Sequence, residues 1–289
     1  MCFWAHLPTN ATTRPFSSTP FKFIIEDKPF FIHAGLLAKH SKALHKMISS
    51  PMKEREQGSA RLEDVTAANF QRFLEWVYRG YYDTPEPKHE PGLAWSFRGD
   101  DKECLKCYPP KDTRGLNEAV ADPAPTLARL ESSEDSMLDS IPADKPSLRE
   151  AFLERQYQEL RNVISLPPAR ANKHSHESYQ EIFLCHAQIY VFADKYGIDR
   201  LKVLAVENLH ATLAIFKLYE ARIGDIISLL RYAYANKTSS FDEPLRDLLK
   251  DYMALHVKEL SCDDGFKDAM CEAGESLVGD YMAAVMKII

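Results

Sequence analysis

Eleven of the chain's seventeen prolines (Pro85, Pro87, Pro91, Pro109, Pro110, Pro123, Pro125, Pro142, Pro146, Pro167 and Pro168) fall between positions 83 and 175. Each fixes φ and removes a backbone N–H, so no continuous helix or central strand can cross this stretch. The run Glu131-Ser-Ser-Glu-Asp-Ser136 adds the acidic, serine-rich character of solvated linkers. The composition therefore predicts a disordered, linker-like stretch, and the core has to come from what flanks it. One island interrupts it. Leu153, Tyr157, Leu160 and Ile164 recur at helical spacing and predict an amphipathic helix near 148–166, whose apolar stripe must cover something.

The flanks carry enough apolar residues for a core, since 45% of the chain is hydrophobic. Residues 1–19 hold Pro8, Pro15 and several Ser and Thr without an apolar period, and read as a flexible tail. Phe21, Phe23 and Ile25 then alternate before a Glu26-Asp27-Lys28-Pro29 turn and a second run at 30–32, a β-hairpin pattern. Leu36, Leu37, Ala43, Leu44, Met47 and Ile48 predict one helix ending near Pro51. A short strand is expected at 61–65. Thr66 should cap a helix with Phe70, Phe73, Leu74, Val77 and Tyr78 on its inner face, stopped by Gly80.

Beyond the proline-rich stretch, 182–196 is apolar on nearly every face, as in a central helix, and Gly197 ends it. A short helix from Asp199 should turn Leu201, Leu204, Ala205 and Leu209 inward. Further helices are expected around 213–235, 242–260 and 264–288.

A formal net charge of −6 supplies no general basic field, so nucleic acid is not the expected partner. Tyr232 and Tyr234 beside Arg231 and Lys237 could stack on bases, but two tyrosines ending an apolar helix more often belong to a core or its rim. Neither a secretory leader nor a run of roughly 18 apolar residues is evident, and the six scattered cysteines suit a reducing compartment. The expected location is cytosol or nucleus, with no membrane partner.

Cys104-Leu-Lys-Cys107 has the spacing of half a zinc site. The remaining candidates, His89, His174, His176, Cys185 and His186, include no second pair, so no metal or cofactor is expected and His186 reads as a locally satisfied helix residue. His33 precedes a helix without an accompanying nucleophile or paired carboxylate, and the phosphate-loop, nucleophile-elbow and H-E-x-x-H patterns do not occur. The chain reads as non-catalytic.

The segment Phe30-Phe-Ile-His33-Ala-Gly-Leu-Leu37-Ala-Lys-His-Ser41 resembles the strand-then-helix opening of BTB/POZ domains. Arg61-Leu-Glu-Asp64-Val, Phe70 and Phe73-Leu-Glu-Trp-Val-Tyr78-Arg-Gly80-Tyr-Tyr82 are similar to that fold's next strand and helix. His186-Ala-Gln-Ile-Tyr190-Val-Phe-Ala193-Asp194-Lys195-Tyr196-Gly-Ile198, through Leu201 and Leu209, looks like the helical pair that closes it. The likeness is greatest to filamentous-fungal members. Where many members carry Asp before the first strand, Pro20 stands here.

The resemblance implies an α+β fold, a small sheet flanked by helices in three layers. Its BTB/POZ domain would be discontinuous, residues 20–82 plus 178–210, interrupted by an insertion at 83–177 and followed by a C-terminal helical extension at 211–289. It implies a non-catalytic protein-interaction module. Family members that recruit cullin-type ubiquitin-ligase scaffolds often use a loop with an apolar residue, any residue, then Glu; Met52-Lys53-Glu54 lies in the matching loop. Met52 and Glu54 are thus the candidate partner-binding residues of a substrate adaptor. The alternative is a self-associating or hetero-oligomerising scaffold in a transcriptional or signalling assembly.

Overall fold

The computed structural model describes residues 18–49, 57–90, 147–155, 169–236 and 243–287. The chain opens with β1 (Pro20–Ile25) and β2 (Lys28–His33), paired antiparallel from Pro20 against His33 to Ile25 against Lys28. The turn is tighter than expected. Only Glu26 and Asp27 form it, with φ of 47° and 62°, the double positive φ of the hairpin turn whose twist matches the flanking strands. Lys28 and Pro29 thereby join β2. Phe23 and Ile25 point into the core, as the alternation requires.

The single helix expected next is two, α1 (Ala34–His40) and α2 (Lys42–Ser49), because Ser41 is extended at φ −141° and ψ 108°. Its buried hydroxyl accepts the Leu44 N–H at 3.1 Å and donates to the Tyr196 carbonyl at 2.7 Å. This serine therefore starts α2 and fastens it to a distant part of the chain. β3 (Ser59–Arg61) runs parallel to β1, giving the sheet order β2-β1-β3; it starts two residues before the expected strand.

Helix α3 (Ala67–Arg79) begins and ends as its sequence dictates. Thr66 accepts the Asn69 N–H, and Gly80 takes φ 85°. Phe70, Phe73, Trp76 and Val77 are buried, while Tyr78 is exposed and Leu74 only half-buried. At about 100° per residue Tyr78 stands about 80° round from Phe70 and Leu74 only about 40°, at the edge of the buried stripe.

A two-residue strand, β4 (Lys88–His89), follows, and then the short α4 (Leu148–Leu153). Within α4 Phe152, not Leu153, turns inward, so the buried face is rotated from the one expected. The rest of that stripe, Tyr157, Leu160 and Ile164, lies outside the described residues, as does the expected N-terminal tail as far as residue 17.

β5 (Glu177–Ser178) leads into the central α5 (Gln180–Lys195) and then α6 (Asp199–Ile215). The latter is longer than expected and passes through position 210 without a break. A 3-10 turn (Glu220–Arg222) and α7 (Ile223–Ala235) occupy the place of the next expected helix, since the chain extends at Phe216. The last two expected helices are four: α8 (Pro244–Leu255), α9 (Val257–Ser261), α10 (Asp264–Ala273) and α11 (Glu275–Met286). His256 interrupts the first pair and Gly274 the second.

One apolar core runs through both flanks. Phe192 on α5 meets Phe73 and Phe70 on α3, with ring centroids 5.1 and 6.4 Å apart, and the core continues through Leu229 to Leu248 and Ala284. Small sheet, flanking helices and helical C-terminal part together make an α+β fold.

Candidate interaction surfaces

The two ends of the proline-rich stretch meet in a polar seam. β4 and β5 pair antiparallel, Lys88 with Ser178 and His89 with Glu177, and the Glu90 N–H donates to the His176 carbonyl at 2.9 Å. Beneath them lies Arg222, 2% exposed. Its Nη2 reaches Glu90 Oε2 at 2.7 Å and its Nη1 stands 3.7 Å from Asp225 Oδ1. Asp225 also accepts the Tyr179 N–H at 2.7 Å and the Ser178 hydroxyl at 3.1 Å. Burial raises its pKa, while the Tyr179 N–H, the Arg222 guanidinium and the Ser178 hydroxyl pull the other way. Glu177, likewise buried, accepts from Arg170 at 2.5 Å and from the Lys173 N–H at 2.6 Å. Charge buried in this way holds only when each carboxylate has donors, and here every one does. The stretch thus leaves and returns at one place.

A second cross-link binds residue 82 to α5. The Tyr82 hydroxyl and His186 Nδ1 are 2.8 Å apart, both side chains buried. Burial first, and the positive Arg72 second, push the His186 pKa down to about 3, so the ring is neutral. Neighbouring Cys185 is pushed up to about 11, chiefly by burial. A thiol held protonated is not an activated nucleophile.

Two cavities open on this framework. One of about 530 Å³ lies between the β3–α3 loop, α5 and the end of α7, lined by Asp64, Asn69, Gln188, Phe192, Tyr196 and Tyr232, and Lys195 pairs with Asp64 at its edge. The other, about 580 Å³, lies under the strap 82–87 and is lined by Tyr82, Arg170, His186, Glu207 and Asn208. Outside the cavities, Phe31 on edge strand β2 is 58% exposed, and Tyr78, whose hydroxyl meets His33 Nδ1 at 2.8 Å, is also exposed. An exposed phenylalanine on a sheet edge suits protein contact better than chemistry on a small molecule.

Residues 18–95 match the family model described as the BTB/POZ domain. The chain carries a BTB/POZ domain. No curated protein matches the chain. BTB/POZ domains bind proteins and self-associate, so this one is a protein-interaction module. The match takes in β1 through β4, and α5–α11 lie beyond it.

Within the BTB/POZ match, Met52 and Glu54 fall between α2 and β3, and both lie outside the described residues. Cys104 and Cys107 do so too. Of their suggested partners, His186 is engaged by Tyr82 rather than satisfied within its own helix, the local partner its sequence suggested. His89, His174 and His176 gather at the seam with ring centroids 5.4 and 5.1 Å apart. Among the described residues no three His, Cys, Asp or Glu side chains are arranged to hold a metal ion. No described helix is long and apolar enough to cross a membrane. Tyr234 is buried and donates to Asp280 at 2.7 Å, and Tyr232 is half-buried. Sequence reasoning missed Arg222, Asp225 and the β4–β5 pair, because two-residue strands have no period and a lone arginine before an apolar helix looks like a solvated one.

Proposed function

We propose that the chain is a non-catalytic substrate adaptor for a cullin-type ubiquitin ligase, engaging the scaffold through Met52 and Glu54. In this reading its BTB/POZ unit is built from residues 20–82 and 178–210, the stretch 83–177 is an insertion within it, and the C-terminal helices select the client. The observation that carries the insertion is the seam: β4 and β5 bring residues 88–89 against 177–178, over Arg222. A loop of any length can close on such a base, because closure cost grows only logarithmically with length. The described cysteines Cys185, Cys262 and Cys271 are free thiols, which suits a cytosolic or nuclear setting. The exposed Phe31 favours the second reading, a self-associating or hetero-oligomerising scaffold.

Affinity purification from cells with mass spectrometry separates them, comparing the full chain with a Met52→Ala/Glu54→Ala double variant. A cullin recovered with the first and lost with the second is the expected result. If neither recovers a cullin, the adaptor reading fails and the scaffold reading replaces it.

A further inference from the structure

Helix α4 packs against α6 and α8. It has six residues, far fewer than an isolated helix needs in water, and its own stabilisation is local: the Ser147 hydroxyl accepts the Glu150 N–H at 3.2 Å and Glu150 Oε2 accepts the Ser147 N–H at 2.9 Å. What holds it in place is a groove between α6 and α8. Phe152 sits in that groove, edge-on to His210 at 4.8 Å and 6.0 Å from Tyr252, ring centre to ring centre. His210 Nε2 lies 2.7 Å from the Phe152 carbonyl oxygen. Two residues past the helix, Arg155 Nη1 meets Asp251 Oδ2 at 2.7 Å, and the other oxygen of Asp251 holds Lys287 at 2.6 Å. Leu148 and Leu153 remain outside, 38% and 48% exposed. Phe152, in the last turn of the helix, and Arg155, two residues past its end, thus both reach α8, while His210 of α6 meets the Phe152 carbonyl. In sequence it is separated from β4 by residues 90–147 and from β5 by residues 154–176.

We propose that the groove between α6 and α8 is a docking site for a client protein segment whose short helix presents an aromatic side chain in its last turn and an arginine just past its end, and that α4 is the tethered occupant such a client displaces. Tethering sets α4 at a high effective concentration, so an incoming helix competes against it. The proposal takes from the preceding section only the idea that the ligand is a protein; it requires no cullin.

The probe is a fluorescein-labelled synthetic peptide of residues 145–157, titrated by anisotropy into the full-length chain. Phe152→Ala and Arg155→Glu each weaken the tethered occupant while leaving the groove intact, and each should bind the peptide at least tenfold more tightly than the unaltered chain. Adding Asp251→Lys to Phe152→Ala should abolish that gain. In the unaltered chain, saturating peptide should speed amide exchange across 147–155. Should the variants melt cooperatively and still bind the peptide no better than the unaltered chain, α4 is a fixed part of the fold and the proposal is overturned. If Phe152→Ala does not fold, Arg155→Glu and the exchange experiment decide. Cullin capture without peptide binding defeats this proposal alone; peptide binding without cullin capture defeats the adaptor reading alone.

Discussion

Tyr82 and His186 are separated by 104 positions in sequence and by 2.8 Å in space. The folded-state pKa of His186 lies near 3, below the ordinary value of 6.5, because burial penalises the cation. As pH falls through 6.5 the unfolded chain takes up a proton that the folded chain refuses, so stability present above that pH is lost progressively toward 3. His40, His210 and His256 are shifted the same way, each chiefly by burial. We expect urea midpoints to drop from pH 7 to pH 5, and His186→Gln to remove up to about 1.4 kcal/mol per pH unit from that slope. An unchanged slope would contradict the assignment of a neutral, buried ring. That His186 lies in a helix was legible in the sequence. Its partner was not, since no spacing rule links a tyrosine after one helix to a histidine in another across a proline-rich stretch.

Element boundaries were legible where a cap or a glycine spells them out, as at Thr66, Gly80 and Gly197, and obscured where apolar spacing continues across a break. Ser41 is such a place, and Gly274 is another. Leu277 and Ala284 are buried beyond it as Phe266 and Ala269 are before it, so the pattern reads as one helix. Gly274 nevertheless adopts φ 69° and ψ −156°, a region side-chain-bearing residues avoid. A Cβ there would meet nothing within 4 Å, so Gly274→Ala should cost only backbone strain, about 1–3 kcal/mol. Gly279, inside α11, also has open space around it. Gly279→Ala should therefore stabilise by about 0.5–1 kcal/mol. Thermal melts of the two variants should move in opposite directions; shifts of the same sign would contradict the break between α10 and α11.

For the whole molecule, the α+β class, the sheet at the start and the helices at the end could all be read from apolar alternation and spacing. How the two flanks join could not, because the joint is made of residues with no periodic signature: Lys88 and His89, Glu177 and Ser178, and the buried Arg222 with Asp225 and Glu90. If the flanks form one cooperative unit around this seam, the residues between are dispensable for folding. The direct measurement is a thermal melt, followed by far-ultraviolet circular dichroism and tyrosine fluorescence, of a chain in which residues 92–146 are replaced by a short Gly-Ser linker. One coincident transition, within a few degrees of that of the full chain, is expected. Two separated transitions, or loss of the folded state, would mean that the segments before and after the proline-rich stretch do not form one cooperative unit.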